Sequence, residues 1–237
     1  MVPTGMRILP DSGTRLVAGG TVLAGGSPVR VLRLTPAGAR QVAGWFTGAP
    51  VPSGVDARAL ARKLLDAGIA HPDFATGGGQ HGDRGAAVPE EVTIVIPVRD
   101  RHAQLARCLS GLRDLRHVIV VDDASADPCA IERIVAEHGA DVIHRPVNGG
   151  PGAARNTGLN AVATELVAFL DSDCVPEAGW LDRLLPHFAD PAVGAVAPRI
   201  VPHENGGGWL ARYEGASSSL DMGARSEERR VGKECRP

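Results

Sequence analysis

The chain has 237 residues, with 25 Lys and Arg against 27 Asp and Glu, 43% hydrophobic and only 3% aromatic residues. This is enough apolar material for one large domain or two small ones. A net charge of −2 with eight aromatics (3 Trp, 4 Phe, 1 Tyr) argues against a nucleic-acid binder, which needs a basic surface or a base-stacking platform.

In chain order, Thr14–Ala18, Thr21–Ala24 and Val29–Leu34 read as short strands, with Gly19-Gly20 as a hairpin turn between the first two. Thr35-Pro36 reads as an N-cap followed by proline in the first helical turn. A second helix starts near Asp56, places Leu60, Leu64 and Leu65 on one face and stops at Gly68. Thr76–Pro89 holds five glycines and almost no large apolar residue, the composition of a flexible linker. It separates a module of residues 1–75 from one of residues 90–224.

The second module alternates strands and helices. Val92–Val98 is a fully apolar strand, and Leu105, Cys108, Leu109 and Leu112 follow at helical spacing. Val118–Val121 is a second buried strand, and Asp127-Pro128 caps a helix carrying Ile131, Ile134 and Val135. Asp141–His144 is a short strand, and Pro151 opens a helix reaching about Val162. Leu166–Leu170 is another strand, and Trp180, Leu181, Leu184, Leu185 and Phe188 mark the last helix. This alternation predicts an α/β fold with a mostly parallel sheet covered on both faces, whose ligands sit beyond the carboxyl ends of the strands.

Three polar clusters stand at those ends: Pro97-Val98-Arg99-Asp100-Arg101, Val121-Asp122-Asp123 and Asp171-Ser172-Asp173. Sixteen aspartates in 237 residues make one D-x-D no rarer than chance, so its place directly after a buried strand carries the information. Two carboxylates at that spacing project to one side and repel each other. A divalent cation completed by phosphate oxygens relieves the repulsion. The plainer alternative is a solvated turn or helix cap. Asp122-Asp123 reads either as the start of a turn or as an acceptor for a nucleobase imide and a ribose. In Asn148–Gly158 (NGGPGAARNTG), glycines allow close approach to a ligand, the helix start favours phosphate, and Arg155 offers a fork for an anion or a base carbonyl. The segment is neither a Walker loop nor a dinucleotide fingerprint, and a Gly-rich connection with a surface arginine is the simple alternative.

Taken together, IVIPVRDR, VVDDAS, GPGAARNTG and FLDSDC, in this order and spacing, resemble the nucleotide-binding half of family 2 glycosyltransferases with the GT-A fold. The resemblance covers about Val92–Val201. It implies that Pro97 and Arg99 line the nucleoside pocket, along with Val121, and that Asp123 reads the uracil. Arg155 would lie near base and phosphates, Asp171 on the ribose or metal side of the D-x-D, and Asp173 would be its metal ligand. Arg99 and Arg101 replace the more usual aromatic and acidic residues after the proline. PVNGGPGAARNTGL, VAFLDSDCVPEAGWLDRL and PHFADPAVGAVAPR are similar to mycofactocin biosynthesis glycosyltransferases in particular, and the first module resembles small α+β, winged-helix-like peptide-docking domains.

The resemblance implies an inverting transfer of a hexose, glucose above all, from a UDP-sugar to a hydroxyl of a peptide-derived redox cofactor, with Mn²⁺ or Mg²⁺ bound at Asp171 and Asp173. It also implies a peptide or biosynthetic-enzyme partner at residues 1–75. The catalytic base is expected beyond Ala224; Glu204, Glu214 and Asp221 are the acidic residues nearer by, and His187 and His203 are expected at the surface. Arg225–Cys235 (RSEERRVGKEC) resembles the in-frame translation of a sequencing-adaptor oligonucleotide, which makes residues 225–237 an artefactual tail and the chain a truncated piece of a longer protein. No signal peptide, transmembrane stretch or CxxC pair is visible, so a reduced cytoplasmic setting is expected, with membrane association left to the longer protein. Two other readings stand beside this one. Gly13-Thr14-Arg15-Leu16 superficially resembles the phosphate loop of sugar nucleotidyltransferases, and a non-catalytic peptide-docking protein would use only the first module.

Overall fold

The computed structural model of the chain describes residues 1–26, 28–74 and 91–201, and the backbone of 227–230. The Gly-rich stretch 76–89, His203, Glu204, Glu214 and Asp221 lie outside the described residues. Contacts divide the chain into two units, Met1–Ala86 with Leu184–Pro237, and Ala87–Arg183.

In the first unit, β1 (Ile8–Pro10) precedes the three strands read from sequence, β2 (Arg15–Val17), β3 (Val22–Gly25) and β4 (Arg30–Arg33). These three form an antiparallel sheet in the order β2-β3-β4, with Gly19 and Gly20 in the first turn at positive φ. Thr35 caps α1 (Pro36–Phe46), its hydroxyl accepting the Gly38 N–H at 3.1 Å. α2 (Val55–Asp66) follows, and β5 (Ala70–Pro72) pairs antiparallel with β1. Ile8, Leu23, Val42, Trp45, Leu64 and Ile69 fill the core of this unit. Gly26 must be glycine: its φ is +90°, and a Cβ there would overlap the Ala67 carbonyl oxygen.

The second unit is the predicted α/β alternation. β6 (Val92–Val98), α3 (His102–Ser110), β7 (Val118–Asp122), α4 (Pro128–Glu137), β8 (Asp141–His144), α5 (Gly150–Leu159) and β9 (Leu166–Phe169) alternate in that order. The four strands are all parallel, in the order β8-β7-β6-β9. Every residue of β6 and β7 is buried, as parallel strands covered on both faces require. Pro97 is tolerated in a central strand because of register. Ile94 donates to His117 on the β7 side, so residues 95 and 97 turn their nitrogens toward β9, and the β9 pairing ends at Val95–Phe169.

α5 lies against β6 and β7, with Ala154 packed on Val95, Ile119 and Val121. Gly158 makes this approach possible: a Cβ there would stand well inside contact distance of Val95 Cγ1 and 3.1 Å from Val121 Cγ2. Alanine gains up to about 1 kcal/mol in helix propensity over glycine, but overpacking a filled core costs about 1–3 kcal/mol. Gly158→Ala is therefore expected to lower the urea midpoint of this unit, and an unchanged or raised midpoint would show that the helix can withdraw freely.

α6 (Trp180–Leu184) is shorter than the expected helix. The chain continues as a 3-10 turn over Leu185–Ala189, because Pro186 brings no N–H to an α-helical ladder. His187, expected at the surface, is instead buried on that turn, its ring edge-on to Phe74 at 4.6 Å between centroids. β10 (Val193–Ala197) pairs antiparallel with β11 (Glu227–Arg230), which falls inside the segment read above as adaptor-derived. In the first unit, the Arg62 guanidinium grips Asp190 with Nη2 at 2.6 and 2.7 Å from the two carboxylate oxygens.

Candidate active site

The four sheet strands end on one rim, and polar contacts join the loops there one to the next. After β6 the chain turns sharply: Asp100 has φ +56°, an unusual value outside glycine. Its backbone N–H donates to the Ser125 hydroxyl at 2.9 Å, and its carboxylate accepts the Ala126 N–H at 2.7 Å. Ala124, at φ +59°, makes the matching turn after β7. Strain at neighbouring strand ends, fixed by reciprocal hydrogen bonds, is a usual mark of ligand-binding loops.

Asp122 and Asp123 are consecutive at the end of β7 and so face opposite sides of the sheet. Each meets a basic residue from the end of β8. Asp122 accepts the Ser125 N–H at 3.0 Å and lies 2.9 Å from His144 Nδ1, while His144 Nε2 lies 3.1 Å from Glu132 of α4. Asp123 pairs with Arg145 and also accepts the N–H groups of Gly149 at 3.0 Å and Gly150 at 2.7 Å. Asp123 is only 4% exposed. It therefore clamps the start of α5 to the end of β7.

Burial pushes the Asp122 carboxyl up, but hydrogen bonds from Ser125 and His144 outweigh it, and the group lies below the ordinary aspartate value. A depressed carboxyl stabilises the fold above its unfolded value of about 3.9, and that contribution disappears as pH falls through the lower folded value. The wild-type chain is expected to lose its stability advantage over Asp122→Asn progressively as pH falls below about 4. Denaturant midpoints compared across pH check this; a gap that stays constant into acid would contradict it.

The D-x-D lies after β9. Asp171 and Asp173 have side chains 55% and 47% exposed, with Ser172 buried between them. Each carboxylate meets an arginine from a different loop: Asp171 pairs with Arg155 of α5 at 2.5 Å, and Asp173 pairs with Arg101 of the β6–α3 turn. Below them, the Asp171 carbonyl accepts the Cys174 N–H at 3.0 Å and the Cys108 thiol at 3.8 Å. Burial, together with Cys174, Asp173 and Asp171, pushes the Cys108 thiol up to about 12, so it is an inert packing group.

The predicted residues thus fall into two sets. Arg99, Asp123, Arg155, Asp171 and Asp173 lie on the rim, Arg99 exposed with Nε 3.6 Å from Asp100. Pro97 and Val121 are register partners inside the sheet, both buried, and belong to the layer beneath the rim. Residues to which the sequence assigns no role are Asp100, Ser125, His144 and Arg145. The one available signal was His144-Arg145 ending a strand, a basic pair to match Asp122-Asp123, but it becomes legible only once β7 and β8 are known to be neighbours.

Among the described residues, no three His, Cys, Asp or Glu side chains gather as a ready-made metal cage. Two half-exposed carboxylates on one short turn suit instead a Mg²⁺ or Mn²⁺ ion that takes one or two protein carboxylates and completes its shell with phosphate oxygens.

The chain is 47% identical over 225 residues to the pre-mycofactocin glycosyltransferase of Mycobacterium tuberculosis, covering 94% of this chain and 45% of that protein. It is 28% identical over 152 residues to the glycosyltransferase AglE of Haloferax volcanii, covering 60% and 50% respectively. The chain spans about half the length of these curated relatives. Among solved structures, the mannosyltransferase PcManGT of Pyrobaculum calidifontis, in complex with GDP-Man and Mn²⁺, matches with 27% identity and a TM-score of 0.42, over 47% of this chain and 36% of that one. The sequence model of glycosyl transferase family 2 matches residues 93–234, more than half of the chain. The chain therefore belongs to glycosyl transferase family 2.

Proposed function

We propose that the chain binds a UDP-hexose, with glucose as the sugar, and takes part in its inverting transfer to a hydroxyl of a peptide-derived redox cofactor of the mycofactocin type. The observation that supports this best is the convergence of Asp123, Arg155, Asp171 and Asp173 on one rim, joined to Asp100 and Arg101 by contacts between loops. Identity to a pre-mycofactocin glycosyltransferase over 94% of the chain supports the choice of acceptor.

In this reading Asp123 accepts the uracil imide, and the N-terminus of α5 with Arg155 faces the phosphates. Asp171 and Asp173 would hold a Mg²⁺ or Mn²⁺ ion, whose chemistry there would be to neutralise charge on the departing diphosphate. Arg101 and Arg155 supply positive charge to the two carboxylates and would turn toward phosphate oxygens where a cation takes their place. The acceptor oxygen forms its bond to the anomeric carbon as the sugar–phosphate bond breaks, and its proton passes to a carboxylate outside the described residues. We read residues 1–75 as the docking module for a peptide or partner enzyme. Between Asp11 and Asp56 the sequence has four arginines (Arg15, Arg30, Arg33, Arg40) and no acidic residue, a setting that favours an acidic partner. We further read residues 76–89 as a linker, 90–224 as the nucleotide-sugar domain, 225–237 as foreign to the natural protein, and the setting as cytoplasmic; among the described residues no helix is long and apolar enough to cross a membrane.

The test is to incubate the chain with UDP-glucose plus a hydroxyl-bearing, peptide-derived acceptor and, separately, with UTP plus glucose 1-phosphate, each in the presence of Mn²⁺. Release of UDP from the first supports glycosyl transfer. Release of pyrophosphate from the second would favour a sugar nucleotidyltransferase.

A further inference from the structure

Asp122-Asp123 at the end of β7 and His144-Arg145 at the end of β8 form two adjacent acid–base pairs, one on each face of the sheet. The first is anchored in register, Asp122 opposite His144, and the Arg145 N–H donates to the Asp122 carbonyl at 2.9 Å. Together these contacts fix where the Arg145 side chain begins. On its face, Arg145 and the Gly149 N–H meet Asp123 Oδ1, and the Gly150 N–H meets Oδ2, with Gly149 also 3.3 Å from Oδ2.

An ionised carboxylate offers about four lone-pair sites. Three donors make four contacts, and the longest of them, the second arm of the Gly149 N–H on Oδ2 at 3.3 Å, marks the one site an incoming donor can take while Gly149 keeps its 3.0 Å bond to Oδ1. A buried carboxylate held by three donors cannot rotate, so the remaining acceptor site is fixed in place. Without Arg145, two backbone N–H groups from one flexible Gly-Gly step would hold it, and the carboxylate would have more than one orientation.

We propose that Arg145 is a positioning residue for nucleobase selection. By pairing with Asp123 it leaves one oriented acceptor site, which fits a base that presents an imide N–H, as uracil does, and opposes a base that presents a ring-nitrogen lone pair at the same place, as cytosine does. Arg145 acts through Asp123 rather than by touching the reacting atoms. The inference rests on the reading of the rim as a nucleoside diphosphate site.

The test is calorimetric titration of the whole chain with UDP and with CDP in Mn²⁺, for the wild type, Arg145→Met and Arg145→Lys. Wild type is expected to prefer UDP. Arg145→Met is expected to weaken UDP about tenfold or more, to leave CDP within about twofold, and so to flatten the preference. Arg145→Lys, which keeps a cation within reach of Asp123, is expected to recover much of it. A general loss of structure would lower both nucleotides together and shift the thermal midpoint, and Arg145→Lys keeps the comparison available should the methionine variant not fold. An unchanged UDP-to-CDP ratio in folded Arg145→Met would overturn the positioning role while leaving the site intact. Absence of nucleotide binding by the wild type would overturn the site itself, and this inference with it.

Discussion

Replacing both carboxylates of the D-x-D, as Asp171→Asn with Asp173→Asn, is expected to weaken Mn²⁺-dependent binding of UDP by at least about 100-fold. Loss of outer partners of a metal ligand already costs about 10–100-fold, so loss of both ligands belongs at or beyond that upper end, about 2.7 kcal/mol. The fold should survive. Both aspartates are about half exposed, and their pairs with Arg155 and Arg101 are surface ion pairs of the kind worth about 0–1 kcal/mol. The double variant also leaves two arginines at the rim, so residual binding of UDP without metal is expected to persist and to weaken with salt. Equal UDP affinity of the two proteins in Mn²⁺ would show that the carboxylates serve the arginines and not a cation.

The second large effect is on stability. Asp190 is 2% exposed and is held by both of its oxygens through one nitrogen of Arg62, whose side chain is 15% exposed. Burial lowers the Arg62 proton affinity, but Asp190 and Asp66 more than restore it, so the guanidinium stays charged. Breaking a buried ion pair from one side costs about 3–5 kcal/mol, because the partner charge stays in the interior. With Arg62 partly exposed, the lower end applies, and Arg62→Ala is expected to destabilise its unit by about 3 kcal/mol. For a domain of this size that is a fall of roughly 12–20 °C in thermal midpoint. Circular dichroism melts of the two proteins decide it, and a fall of less than about 4 °C, or 1 kcal/mol, would mean that Asp190 finds equivalent partners without Arg62.

The parts of the fold that sequence made legible are those with long, one-sided patterns. The apolar run of β6, the capped starts of α1 and α4, and the alternation through β9 are local signals, and they place the GT-A-like parallel sheet and its rim. The elements that escaped notice are short. β1 and β5 have three residues each and exist because they pair with one another across the unit, and β10 likewise depends on a partner strand. The sequence pattern carries the last helix too far because a tryptophan, three leucines and a phenylalanine at helical spacing outweigh the single Pro186. The site shows the same division. Asp123, Asp171 and Asp173 stand out in sequence because they follow recognisable strands, and Arg155 because it lies in a helix with a recognisable Gly-Pro start, whereas Arg145 and Ser125 become visible only through strand order. The burial of His187 is not legible locally, because a histidine between Pro186 and Phe188 gives no sign of the distant Phe74 ring that packs against it.

The central claim is that separate loops of the parallel sheet together hold a cation-bound nucleoside diphosphate. Its most direct measurement is a calorimetric titration of the chain with UDP, in Mn²⁺ and again after the metal is chelated. One site per chain is expected, with heat that largely vanishes on chelation and returns when the metal is restored. UDP binding that is absent in Mn²⁺, or equally strong without it, would contradict the account.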